Sequence, residues 1–110
     1  MSTKQKIIFF LVVFGFIKVS TISMFFLMGQ KHEAEINRVI EATGAKVTDI
    51  DTVFGDQHPF DGRSSTNTVY KITYERDGAT YIAWYRGLNN MSDIHDRPSK
   101  GYPEEWFFEE

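Results

Sequence analysis

The chain contains no cysteine. That excludes disulfides, a thiolate nucleophile, zinc–thiolate coordination and lipid attachment through a thiol. It does not assign a compartment, because many exported proteins manage without disulfides. Phosphate-cradling loops are missing too, since neither G-x-G-x-x-G nor a P-loop occurs. Ser64 and Ser65 lie in "GRSSTN", which is no nucleophile elbow, and three histidines in 110 residues define no triad. No catalytic constellation can be assembled, so the sequence predicts a protein that is not an enzyme and needs no cofactor. A basic stripe is lacking as well. Residues 30–110 hold nine Lys/Arg against fifteen Asp/Glu, a balance of −6. Nucleic acid is excluded as a partner, because phosphate contacts need clustered Lys and Arg.

What the chain does have is a long apolar run, "IIFFLVVFGFIKVSTISMFFLM", over residues 7–28, preceded by Lys4 and Lys6. A helix of that length rises about 33 Å, enough for a hydrocarbon layer of ~30 Å. Over 7–17 it shows none of the polar stripe of a soluble core helix. Lys18 opposes insertion by roughly 2.5–3.5 kcal/mol, which the other positions outweigh, and it can snorkel or face a partner helix beside Ser20, Thr21 and Ser23. The expectation is a single-pass transmembrane helix over 7–29 acting as a signal anchor, after a basic cytoplasmic N-terminus at 1–6. Positive-inside places the remainder outside the cytoplasm, with localisation at the cell membrane. The rival is a cleaved signal peptide releasing a secreted soluble domain. Its nearest small-x-small triplet, Thr21-Ile22-Ser23, is followed by "MFFLM", which would leave an apolar mature start, so the uncleaved anchor is favoured.

Beyond the run, residues 30–92 predict a small α+β domain near the lower size limit for an independent core. In "KHEAEINRVIEATG", His32, Ile36, Val39, Ile40 and Thr43 share one helical face, and Gly44 stands where a glycine ends a helix. "KVTDIDTVF" (46–54) is rich in β-formers but alternates imperfectly. "NTVYKITYERDGATYIAWYRG" is a hairpin. With a type I′ turn at Asp77-Gly78, Tyr74/Tyr81, Ile72/Ala83 and Tyr70/Tyr85 pair on one face, and Lys71/Trp84, Thr73/Ile82 and Glu75/Thr80 on the other. The fold expected is α-β-β-β, one helix packed on an antiparallel sheet, followed by an irregular acidic aromatic tail over 93–110.

This arrangement resembles small Gram-positive proteins that join a basic N-terminus and one membrane anchor to a compact outer helix followed by strands. The segment "VIEATGAKVTDIDTVF…TVYKITYERDGATYIAWY", about residues 35–87, is also distantly similar to PepSY-type units. That resemblance implies a protease-inhibitory or regulatory module outside the membrane and carries over no functional residue.

Two acid–histidine clusters carry the ligand types of a divalent-metal site: Asp56, His58 and Asp61 in "DQHPFD", and Asp93, His95 and Asp96 in "DIHD". Neither has helix-borne spacing. As Asp and His are ordinary turn residues, a structural role is favoured and no metal is expected. Convergence of the two loops in space would change that weighting. Trp84 falls on the sheet face away from the helix, where it marks a partner surface unless the tail covers it. The tail aromatics Trp106 and Phe107 are the expected cover near Ile82. Lys18, Trp84, Trp106 and Phe107 are the candidate partner contacts. The function expected is a non-enzymatic, membrane-anchored accessory protein of a bacterial envelope. It would touch the lipid bilayer and another membrane or exported protein. The alternative is a metal-binding surface module.

Overall fold

The computed structural model describes residues 2–110, and the side chains of 2–9 and 26–110. Its elements are one helix, α1 (Thr3–Ala42), and four strands: β1 (Lys46–Val53), β2 (Asn67–Arg76), β3 (Ala79–Leu88) and β4 (Glu105–Glu109). They fall into two compact units, the first ending at Gln30 and the second comprising Lys31–Glu110. In the first, a reciprocal capping box starts α1. The Ser2 N–H donates to Gln5 Oε1 at 3.0 Å and the Gln5 N–H to Ser2 Oγ at 3.3 Å.

The transmembrane expectation is corrected here. Among the described residues, no helix is long and apolar enough to cross a membrane. Of the apolar run, the side chains described are those of 7–9 and 26–28. A span requires ~20 predominantly apolar residues in one helix, a condition that no described helix meets. The side chain of Lys18 and the triplet 21–23 lie outside the described side chains. The signal-anchor, single-pass architecture over 7–29 is therefore set aside.

In the second unit, α1 buries His32, Ile36 and Ile40. These residues recur at the spacing of one helical face. The helix stops where Gly44 takes φ +82, with the Thr43 N–H on the Ile40 carbonyl (3.1 Å) and the Gly44 N–H on that of Glu41 (3.0 Å). Ile36 and Ile40 join Ala45, Tyr70, Ile72, Tyr74, Ala83 and Tyr85 in one core, so the centre of the helix-side face of the sheet is aromatic and aliphatic.

The sheet is antiparallel in the order β1-β2-β3-β4. β2 and β3 pair in the register the sequence predicts, from Arg76↔Ala79 through Tyr70↔Tyr85. Asp77 (φ 53) and Gly78 (φ 80) both take positive φ at the turn, as type I′ demands. The poor alternation of β1 has a local cause. A register shift between Val47 and Asp49 inserts Thr48, so Val47 and Ile50, three apart, both pack on the core.

The expected three-strand sheet with an irregular tail is also corrected. Residues 105–109 are a fourth strand on β3, pairing Tyr85↔Trp106, Trp84↔Phe107 and Ala83↔Phe108. Alternation sends Trp106 and Phe108 to the core side and Phe107 to the far side. Trp106 stacks near Tyr85 (4.8 Å between centroids) and on Phe108 (5.4 Å, 9°). Two carboxylates bracket β4. The Tyr85 hydroxyl donates to Glu104 Oε2 at 2.7 Å, and that of Tyr74 to Glu110 Oε1 at 2.6 Å.

Candidate functional site

Helical spacing places His32, Glu35 and Arg38 along one side of α1. His32 is fully buried between the rings of Tyr70 and Tyr85. Its Nε2 lies 2.9 Å from the Leu88 carbonyl, which can only accept, so Nε2 carries the proton and Nδ1 accepts from the Tyr70 hydroxyl at 2.7 Å. Burial holds its pKa below the ordinary 6.5, against the raising effect of the Leu88 bond. Burial likewise pushes the Tyr70 hydroxyl up to about 12. This histidine is neutral and both nitrogens are occupied, which makes it a packing element.

Glu35 is the centre of a second cluster. Arg38 Nε donates to Glu35 Oε2 at 3.0 Å and its NH2 group to the other oxygen, which holds the Glu35 pKa below its usual value. His95, from the segment between β3 and β4, presents Nε2 to Glu35 Oε2 at 3.7 Å and Nδ1 to Glu104. The Glu104 bond raises the His95 pKa, with Glu35 and Asp93 adding to it. The buried Tyr85 hydroxyl, raised by burial and by Glu104, orients that carboxylate. Among the described residues, Glu35, His95 and Glu104 are the grouping that could hold a metal, with one ligand atom of each within 4.8 Å of the others. Both Glu35 oxygens, however, already face the Arg38 guanidinium, and both His95 nitrogens face carboxylates. The side chains of the cluster thus engage one another, and Glu35 and His95 also line an open concavity with Lys31, Arg38 and Asp93.

The metal candidates read from the sequence are not gathered into one group. The grouping takes His95 from "DIHD" and nothing from "DQHPFD". In the first loop His58 Nδ1 accepts from the Phe60 N–H at 3.2 Å, while Asp56 and Asp61 are exposed. In the second, Asp93 Oδ1 accepts from the His95 N–H at 2.9 Å, and Asp96 Oδ1 from the Arg97 N–H at 2.8 Å. These are turn-forming bonds. Glu35 and Glu104, which complete the cluster, escaped the sequence reading. The one available signal was Glu35 three residues after His32 on a face otherwise apolar.

On the sheet face away from α1, cross-strand rows run Asp51–Lys71–Trp84–Phe107 and Asp49–Thr73–Ile82–Glu109. One end of this face is covered. Arg86, buried, lies under Phe60 and Tyr102 (5.3 and 4.8 Å to the ring centres), donates to the Gly62 and Pro103 carbonyls and pairs with Glu105 at 3.1 Å. The other end is open. Trp84 and Ile82 are half-buried, Phe107 is 45% exposed, and Lys71 Nζ lies 5.7 Å from the Trp84 ring centre. The enclosed Trp84 Nε1 has no acceptor among the described residues. Asp49, Asp51, Glu75 and Glu109 are exposed around this apolar centre. Trp106, expected beside Trp84, is on the core side instead, and of the two tail aromatics Phe107 is the one that neighbours Trp84 across the strands.

No family model, curated protein or solved structure matches this chain.

Proposed function

We propose that the Lys31–Glu110 unit is a non-enzymatic interaction domain that binds another protein on the sheet face opposite α1. The observation supporting it is the open Ile82–Trp84–Phe107 patch, apolar at its centre and bordered by Asp49, Asp51, Glu75 and Glu109, which outnumber Lys46 and Lys71 on the same face. Small monomers rarely leave aromatic rings together on a surface without a use for them, and Trp is prominent among residues that dominate interfaces. The acidic border selects a partner segment carrying Lys or Arg around an apolar centre.

The test is site-specific photo-crosslinking in cells. A photoreactive residue replacing Phe107 should capture one discrete product, and Ile82→Glu should abolish that product. The same probe at Glu41, exposed on α1, should not give it. Identical products from both positions, or a product indifferent to Ile82→Glu, would refute the reading.

A further inference from the structure

We infer that β4 is the edge at which this partner joins, as a fifth strand whose sequence is basic–apolar–apolar–apolar–basic; this rests on the interaction-domain reading and specifies its geometry. A sheet in the order β1-β2-β3-β4 offers two edges, and the two are built differently. β1 carries the inserted Thr48, which breaks its register, and the charges of Lys46, Asp49 and Asp51. The Arg63 guanidinium also occupies the Val53 carbonyl at 2.6 Å and that of Phe54. Bulges and charges of this kind are how natural sheets close an edge.

β4 has none of these devices across its middle. It pairs with β3 over five residues with no register shift. Its centre is Trp106-Phe107-Phe108, with Phe107 45% and Phe108 38% exposed. The rings lie on both faces, so an added strand with three apolar residues would extend the Tyr85–Trp106 row on one side and the Trp84–Phe107 row on the other. Main-chain bonds supply affinity in such additions, and alternate side chains supply selectivity.

Charge distinguishes the occupant. A second copy pairing all five residues antiparallel would set Glu105 against Glu109 at both ends, and a parallel copy would set each glutamate beside its equivalent. Like charges directly opposed destabilise a strand pair. Of the four glutamates in 104–110, Glu104 is engaged by Tyr85 and His95, and Glu110 by Tyr74 and Arg76. Glu109 has no cation partner among the described residues, and the Glu105 side chain is 58% exposed although it touches Arg86. Both lie on the face opposite α1, four residues apart with Phe107 between them. A partner strand with Lys or Arg at its first and fifth positions meets both.

The experiment measures binding to the full chain of the capped peptide Thr-Lys-Val-Tyr-Val-Lys-Thr by tryptophan fluorescence. The same peptide with Glu for both Lys should bind at least tenfold more weakly, and Glu109→Lys should narrow or invert that preference. Two further peptides, N-methylated at alternate positions, separate edge from face. Strand addition requires one set to lose binding and the other to keep it. Equal effects from both sets would overturn the edge geometry while leaving a face-bound partner intact. So would failure of every peptide to bind while the Phe107 crosslink persists. Indifference to end charge would overturn the stated partner chemistry.

Discussion

Replacing Gly87 by alanine tests whether the His32 contact sets how closely α1 approaches the sheet. Gly87 lies on β3 without positive φ, so alanine meets no backbone strain. Its β-carbon would fall 2.8–2.9 Å from three atoms of the His32 ring, against an ordinary contact of 3.4–4 Å. The ring would have to retreat by about 0.6 Å. It is held by the Leu88 carbonyl at 2.9 Å, by the Tyr70 hydroxyl at 2.7 Å and by two tyrosine rings. Such a retreat stretches the first bond to the limit of hydrogen bonding. Overpacking of a filled core costs ~1–3 kcal/mol, and a lost buried bond adds ~1 kcal/mol. The expected loss is about 2–4 kcal/mol, or roughly 10–25 °C for a domain of this size. Near-ultraviolet circular dichroism follows this unit selectively, because every Tyr and Trp lies beyond Gln30. Combining Gly87→Ala with His32→Ala removes the clash, so the two changes should couple by at least ~1 kcal/mol. A single variant melting within ~2 °C of the parent, or simple additivity, would refute the argument.

The histidines predict opposite limbs of a stability–pH curve. His32, held neutral with a lowered pKa, contributes stability that is present above 6.5 and lost as pH falls towards its folded value. His95, with a raised pKa, contributes stability that is present below 6.5 and lost as pH rises through its folded value. His95→Gln should flatten the alkaline limb and spare the acid one; persistence of the alkaline limb would show that another group controls it. At the hairpin, Gly78→Val should cost ~1 kcal/mol or more through φ alone, since nothing lies within 4 Å of its β-carbon position. An unchanged melting temperature would contradict a type I′ turn.

The hairpin was legible because its two strands are adjacent and Asp77-Gly78 sets the register locally. The helical face of His32, Ile36 and Ile40 was legible for the same reason, since periodicity is a short-range property. β1 was half-legible, because the Thr48 insertion breaks the alternation by which a strand is recognised. β4 was hidden. It is five residues long and flanked by glutamates, and its partner β3 lies some twenty residues earlier. The apolar run was read from hydropathy over 7–29, and the helix found there, among the described residues, does not meet the requirement for a span. The Glu35–His95–Glu104 cluster joins α1 to two positions nine residues apart in the β3–β4 connection, and no pattern within either segment announces the other.

The two tyrosine–glutamate bonds on either side of β4 bear on its dynamics. A short edge strand ordinarily frays from its ends, with amides exchanging in graded order. Here Tyr85 anchors the residue before the strand and Tyr74 the residue after it. Opening from one end leaves the other fastened, so the bonds to β3 in the middle of the strand break only when both anchors release. The β4 amides bonded to β3 should then exchange together with a single opening free energy, while those on the open edge exchange freely, so that the β3–β4 ladder behaves as one hinged unit.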